Sequence, residues 1–242
     1  MTDPIRLKPS AVARVLGAAA LVLALLSTAA YLFRFLTGHD EVMGLLSLVY
    51  LDKERNFPTI FSVLILAMVS LIAAVIATLA RKHRAPDVTR WAVLSVGFLY
   101  LAFDEALSLH ERLSVPVKAI LGSRTGLHHT FWAVPILIVV ILLGLYFLPF
   151  LRRLPAKTRW TLLAAGGIYV GGAIGVEFLS GTFWSGKEDL TYVIIVTLEE
   201  SCEMAGVILC IYGLLRYLAD TYGEVRFLLG ERREERSRAV GT

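Results

Sequence analysis

The sequence predicts an all-α integral membrane bundle of six transmembrane helices with both termini cytoplasmic. Three observations lead there. Of the 242 residues, 57% are hydrophobic and only 18% charged, with a mean hydropathy of +0.69, which excludes an ordinary soluble domain. Apolar runs recur along the chain, most of them near the ~20 residues a helix needs to cross ~30 Å of hydrocarbon. Lys and Arg are distributed unevenly between the two sides those runs define: seventeen of 24 fall on one side, which the excess marks as cytoplasmic. The runs are continuous and rich in Leu, Ala and Val, which excludes the ~10-residue alternating strands of a membrane barrel.

The chain is expected to form a single transmembrane domain, with helices over about 11–36, 58–80, 90–113, 130–150, 159–180 and 192–218. The first run holds small residues at Ser27-Thr28-Ala29-Ala30, the pattern of a signal-peptide cleavage site, but continues through Tyr31, Leu32 and Phe33. A retained helix is expected. The run Val42 to Tyr50 is apolar but too short to span, and is read as an interfacial or re-entrant helix. Asn56 and Pro58 then supply a cap and a first-turn proline for the second helix.

The third helix carries Asp104, Glu105, His110 and Glu111 towards its outer end, and His128 and His129 open the fourth. In the fifth, Gly167, Gly171 and Gly175 recur at four-residue spacing with Gly166 and Gly172 nearby, a small-residue face for close helix packing that leads to Glu177. The sixth holds Glu199, Glu200 and Glu203. Its two cysteines, Cys202 and Cys210, lie eight apart on one helix and cannot bond to each other. Residues 219–242 form a charged cytoplasmic tail. His39 and His83 fall away from the acids and are read as surface residues.

Charge inside apolar segments is expensive, so the acids mark function. Counting ~1.5 Å per residue from the inner ends, Asp104 falls ~20 Å along its helix and Glu177 ~25 Å along its own, both in the outer half. Glu199, Glu200 and Glu203 occupy the outer half of the last helix, on one face within about 100° of arc. Asp104 and Glu111 share a face of the third helix, and Glu105 is rotated ~100° from Asp104. Either Asp104 and Glu111 point to the site together, or the helix breaks after Asp104 and frees His110 to fold back.

Carboxylates this close in low dielectric must protonate, pair with cations or hold a metal. Oxygen ligands in excess with histidines at the same level suit zinc, iron or manganese, with Asp104, His110, His129, Glu177, Glu200 and Glu203 as the candidate ligands. Glu111 and Glu199 are the candidate catalytic bases. Arg55 and Glu54 are the candidate substrate-binding residues, with Arg55 offering two parallel donors to an anionic head group. No Glu-x-x-His pair of the di-iron type and no His-Glu-x-x-His motif occurs.

Leu51 to Ser62 (LDKERNFPTIFS), Leu101 to Leu113 (LAFDEALSLHERL) and Val196 to Gly206 (VTLEESCEMAG), in this order on a six-helix chain, resemble an uncharacterised bacterial family of multi-pass membrane proteins. The resemblance implies a bacterial inner-membrane location and assigns no activity to any residue.

The expected function is therefore a membrane-embedded, metal-dependent enzyme acting on a lipid or lipid-linked substrate from the extracytoplasmic side. The alternatives are a cation- or proton-coupled transporter using the same carboxylates, and a structural or partner-binding membrane subunit. Transport needs polar groups across the whole membrane, whereas the inner halves offer mainly Ser70, Thr78 and Ser95. Membrane lipid is the expected partner, with room for a homo-oligomer. The net charge of +4 comes largely from the cytoplasmic segments and tail, so nucleic acid is not expected.

Overall fold

The computed structural model describes residues 8–39, 42, 44–109, 133–176 and 190–223. These residues are helical, with turns between: α1 (Pro9–Thr37), α2 (Phe57–Lys82), α3 (Val88–Leu107), α4 (Ala133–Arg153), α5 (Ala156–Val170) and α6 (Leu190–Tyr222). A π-helical stretch, Gly171–Val176, continues α5.

Three of these helices are long and apolar enough to cross a membrane: α1, α2 and the Ile136–Arg153 part of α4. Six were expected, and among the described residues the other three do not meet that standard. Charged residues interrupt two of them: Arg90, Asp104 and Glu105 lie in α3, and Glu199, Glu200, Glu203, Arg216 and Asp220 in α6, although these helices reach 20 and 33 residues. The third, α5, has only 15 residues before the backbone widens into the π-helical stretch.

Helix α6 is the centre of the bundle, packing against α1, α2 and α5, while α3 lies along α2. The shared core is made by Ile65, Val69, Ala73 and Ile76 of α2 and by Met204, Val207, Ile211 and Leu214 of α6, all at helical three- or four-residue spacing. Trp91 of α3, 1% exposed, meets Phe150 of α4 edge-on at 4.7 Å and Tyr217 of α6 at 5.0 Å.

Successive helices run antiparallel, so basic and acidic residues collect at opposite ends. At the basic end Asp87, in the left-handed conformation with φ 72°, precedes α3. It accepts from Arg90 Nη1 at 2.6 Å and Arg153 Nε at 2.8 Å, and from Arg153 Nη2 as well. The two parallel Arg153 donors hold its carboxyl below the ordinary value against the opposing effect of burial, and Arg90 adds to them.

In the middle, Ser70 Oγ donates to the Ser95 carbonyl at 2.8 Å and Ser95 Oγ to the Ser70 carbonyl at 2.9 Å. Thr78 donates to Ala74 of its own helix. These three hydroxyls are thus spent on joining α2 to α3 or on their own backbone.

Candidate functional site

At the acidic end the chain from 44 to 56 is a folded loop. The expected helix over Val42 to Tyr50 does not form in the described part: i to i+3 bonds from Leu45 to Val42, Leu48 to Leu45 and Val49 to Leu46 make successive turns. Gly44, at φ 73°, takes a left-handed backbone that breaks any continuing helix there. The loop is anchored from inside. Asn56, 3% exposed, caps α2 by accepting from Thr59 N at 3.1 Å and donates to the Tyr50 carbonyl at 2.5 Å and the Ser47 carbonyl at 3.3 Å.

Two helices hold the same loop from outside. Ser27 Oγ of α1 accepts from Leu51 N at 3.0 Å, and the rings of Tyr31 and Tyr50 lie 4.3 Å apart. Asp52 accepts from Tyr192 of α6 at 2.7 Å and from Tyr31 at 3.4 Å. Asp52 and Glu54 thereby come within electrostatic reach of Glu200. Arg55, the expected head-group cation, sits exposed in a left-handed conformation at φ 61° and makes no ion pair among the described residues.

Beneath the loop, a small cavity is lined by Ser62, Ile65 and Leu66 of α2, Glu105 of α3, Tyr169 of α5 and Glu203, Met204 and Val207 of α6. Its scale is that of about one water or bare ion. Tyr169 and Glu203 thus face the same small space from two different helices. The strongest charged neighbours of Glu203 are Glu105, Glu199 and Asp104, and those of Glu200 are Glu203, Glu105, Asp52 and Glu54. Glu199, Glu200, Glu203, Asp104 and Glu105 are each half-buried. A group of carboxylates whose strongest electrical neighbours are other carboxylates needs a cation or shared protons to persist in low dielectric.

Of the candidate residues, Asp104, Glu199, Glu200, Glu203 and Glu54 therefore lie at one end of the bundle, and Arg55 lies on the loop above them. His110, Glu111, His129 and Glu177 lie outside the described residues. Helix α3 ends at Leu107, where Ser108 turns left-handed at φ 50° and caps it through an N–H to the Asp104 carbonyl. Among the described residues no three His, Cys, Asp or Glu side chains are grouped to hold a metal ion.

Sequence reasoning gave too little weight to Glu105 and overlooked Tyr169. Glu105 lies two heptads beyond the buried Trp91, and Ser95, Phe98 and Ala102 fall between them at three- or four-residue steps. That spacing could have shown which α3 acid follows the core stripe. Tyr169 stood unexamined among glycines.

The glycines also sort differently from expectation. A Cβ at Gly167, Gly171 or Gly175 would meet no described atom within 4 Å. The close approach is made instead by Gly172, whose Cβ would lie 2.8 Å from Cys202 Cβ and 3.0 Å from the Glu199 carbonyl, and by Gly206 on the facing helix.

Searches of curated proteins and of solved structures returned no match. The profile of one family, described as a domain of unknown function (DUF8692), matches residues 15–218, which include the acidic loop, the α3 acids, Tyr169 and the α6 carboxylates, and the chain belongs to that family.

Proposed function

We propose that this protein is a metal-dependent enzyme embedded in the bacterial inner membrane, with six spans, both termini in the cytoplasm and a carboxylate site in the extracytoplasmic half. A lipid or lipid-linked molecule is its substrate. The observation that carries the proposal is that Glu105 of α3 and Glu203 of α6 line one small cavity with Tyr169, with Glu200 on the same stretch of α6. Oxygen ligands from several helices with histidines nearby in the sequence suit zinc, iron or manganese.

In this scheme Glu200, Glu203 and Asp104 hold the ion, joined by Glu105 and by His110, His129 and Glu177 of the adjoining segments. Glu199 or Glu111 serves as general base toward water, and Arg55 beside Glu54 receives an anionic head group at the loop. Cation or proton transport by the same acids is the weaker proposal. The mutual Ser70–Ser95 bonds consume the polar groups a path through the inner half would need.

Elemental analysis of detergent-purified protein tests this directly. Zinc, iron or manganese near one per chain in the wild type, lost in Glu200→Gln and Glu203→Gln, is the expected result. Metal-free wild type after purification without chelator, still unable to take up these ions on addition, would overturn the metal enzyme.

A further inference from the structure

Tyr169 and Glu203 belong to different helices and line one small cavity, and the two helices approach closely on either side of it. The described contacts show how that approach is made. A Cβ on Gly206 would lie 2.8 Å from Tyr169 N, 2.8 Å from Tyr169 Cβ and 2.8 Å from the Ala165 carbonyl oxygen. Across the same seam, a Cβ on Gly172 would lie 3.4 Å from Glu203 N as well as against Cys202 and Glu199. Each glycine therefore touches the backbone of the opposite partner. Gly206 sits three residues after Glu203 and bears on Tyr169, and Gly172 sits three residues after Tyr169 and bears on Glu203.

We infer that Gly206 and Gly172 are positioning residues that set the Tyr169 hydroxyl against the Glu203 carboxylate. Ordinary van der Waals contact needs about 3.5 Å between carbons, so a methyl group at Gly206 forces the helices apart by several tenths of an ångström, and the neighbouring atoms are mostly backbone, which cannot rotate away. A hydrogen bond weakens over that displacement. The inference bears on the site proposed above but stands on geometry that exists whether or not a metal binds there.

Infrared difference spectroscopy on the purified full-length protein tests it. The carboxyl band of Glu203, protonated or ionised, is isolated by subtracting the spectrum of Glu203→Gln. Tyr169→Phe is expected to shift that band. Gly206→Ala is expected to shift it in the same direction, with no further change in the double variant, while Gly167→Ala leaves it in place and all variants keep wild-type helicity by circular dichroism. A band unmoved by Gly206→Ala, or shifts that add in the double variant, would overturn the inference. Should Gly206→Ala not accumulate, Gly172→Ala carries the same expectation from the other side of the seam. Shifted bands in a protein that takes up no metal uphold the positioning role and defeat the metal proposal, so the two failures are distinguishable.

Discussion

At the basic end of the bundle Asp87 is held between Arg90 and Arg153, and in the middle Ser70 and Ser95 satisfy one another; at the acidic end the strongest charged neighbours of Glu200 and Glu203 are other carboxylates. One region joins its charges in ion pairs between described residues, and the other gathers several carboxylates at one end of the bundle. The difference teaches where stability and function reside. Groups that balance each other can be explained by folding alone, whereas carboxylates gathered within apolar helices call for protons or cations and so mark function.

Substitutions should therefore separate the two regions. The largest effect is expected from Trp91→Ala, which removes the aromatic hub of the inner core: unfolding in detergent should become easier by about 3–5 kcal/mol, with metal content per folded chain unchanged. If metal content fell in proportion to stability, the two regions would not be separable. Asn56→Ala comes next. It removes the α2 cap and two donors beneath the loop, at a cost of about 2 kcal/mol by denaturant titration, and proteolysis within 44–56 should accelerate.

Glu203→Gln should act in the opposite direction. Relief of repulsion from Glu105 and Glu199 is expected to stabilise chelator-treated protein by on the order of 1 kcal/mol, seen as a higher melting temperature, while abolishing metal uptake. A lower melting temperature in that variant would mean that the acids stabilise the fold and would blunt the comparison. Ser70→Ala should cost about 0.6 kcal/mol, the ordinary worth of a hydrogen bond between membrane helices, and leave the acidic end untouched.

The smallest effect concerns pH. Because Arg153 holds the Asp87 carboxyl below its ordinary value of 3.8, the stability it lends is fully present above that value and is lost as pH falls through the lowered one. Melting temperatures measured from pH 6 down to acid should fall less steeply for Asp87→Asn than for the wild type.

Much of the fold was legible because hydrophobic periodicity is a local property. Runs of Leu, Ala and Val declare helices without reference to any neighbour, and Asn56 followed by Pro58 declares where α2 begins. The turns over 44–50 were not legible as such, because a short apolar run fits an interfacial helix as well as a buried loop. Gly44 and the anchors from Ser27 and Tyr31, 17 and 13 residues earlier, settle the difference. The ambiguity between Asp104 and Glu105 had a similar origin. Adjacent residues on a helix diverge by ~100°, and only the face that packs on α2 decides which one looks inward.

By itself, then, the sequence determined that the chain is helical, that it is apolar enough for membrane spans and that its acids cluster near one end of those helices, since composition and spacing suffice for each. Only the tertiary structure decided that Glu105 and Tyr169 meet Glu203, that Asp52 is tied down by tyrosines of two helices, and that Gly172 and Gly206, rather than the regular glycine repeat, bring α5 and α6 together. The physical reason is that contact between helices depends on their rotation and separation. Those are set by the packing of whole surfaces and cannot be read from the period of a single helix.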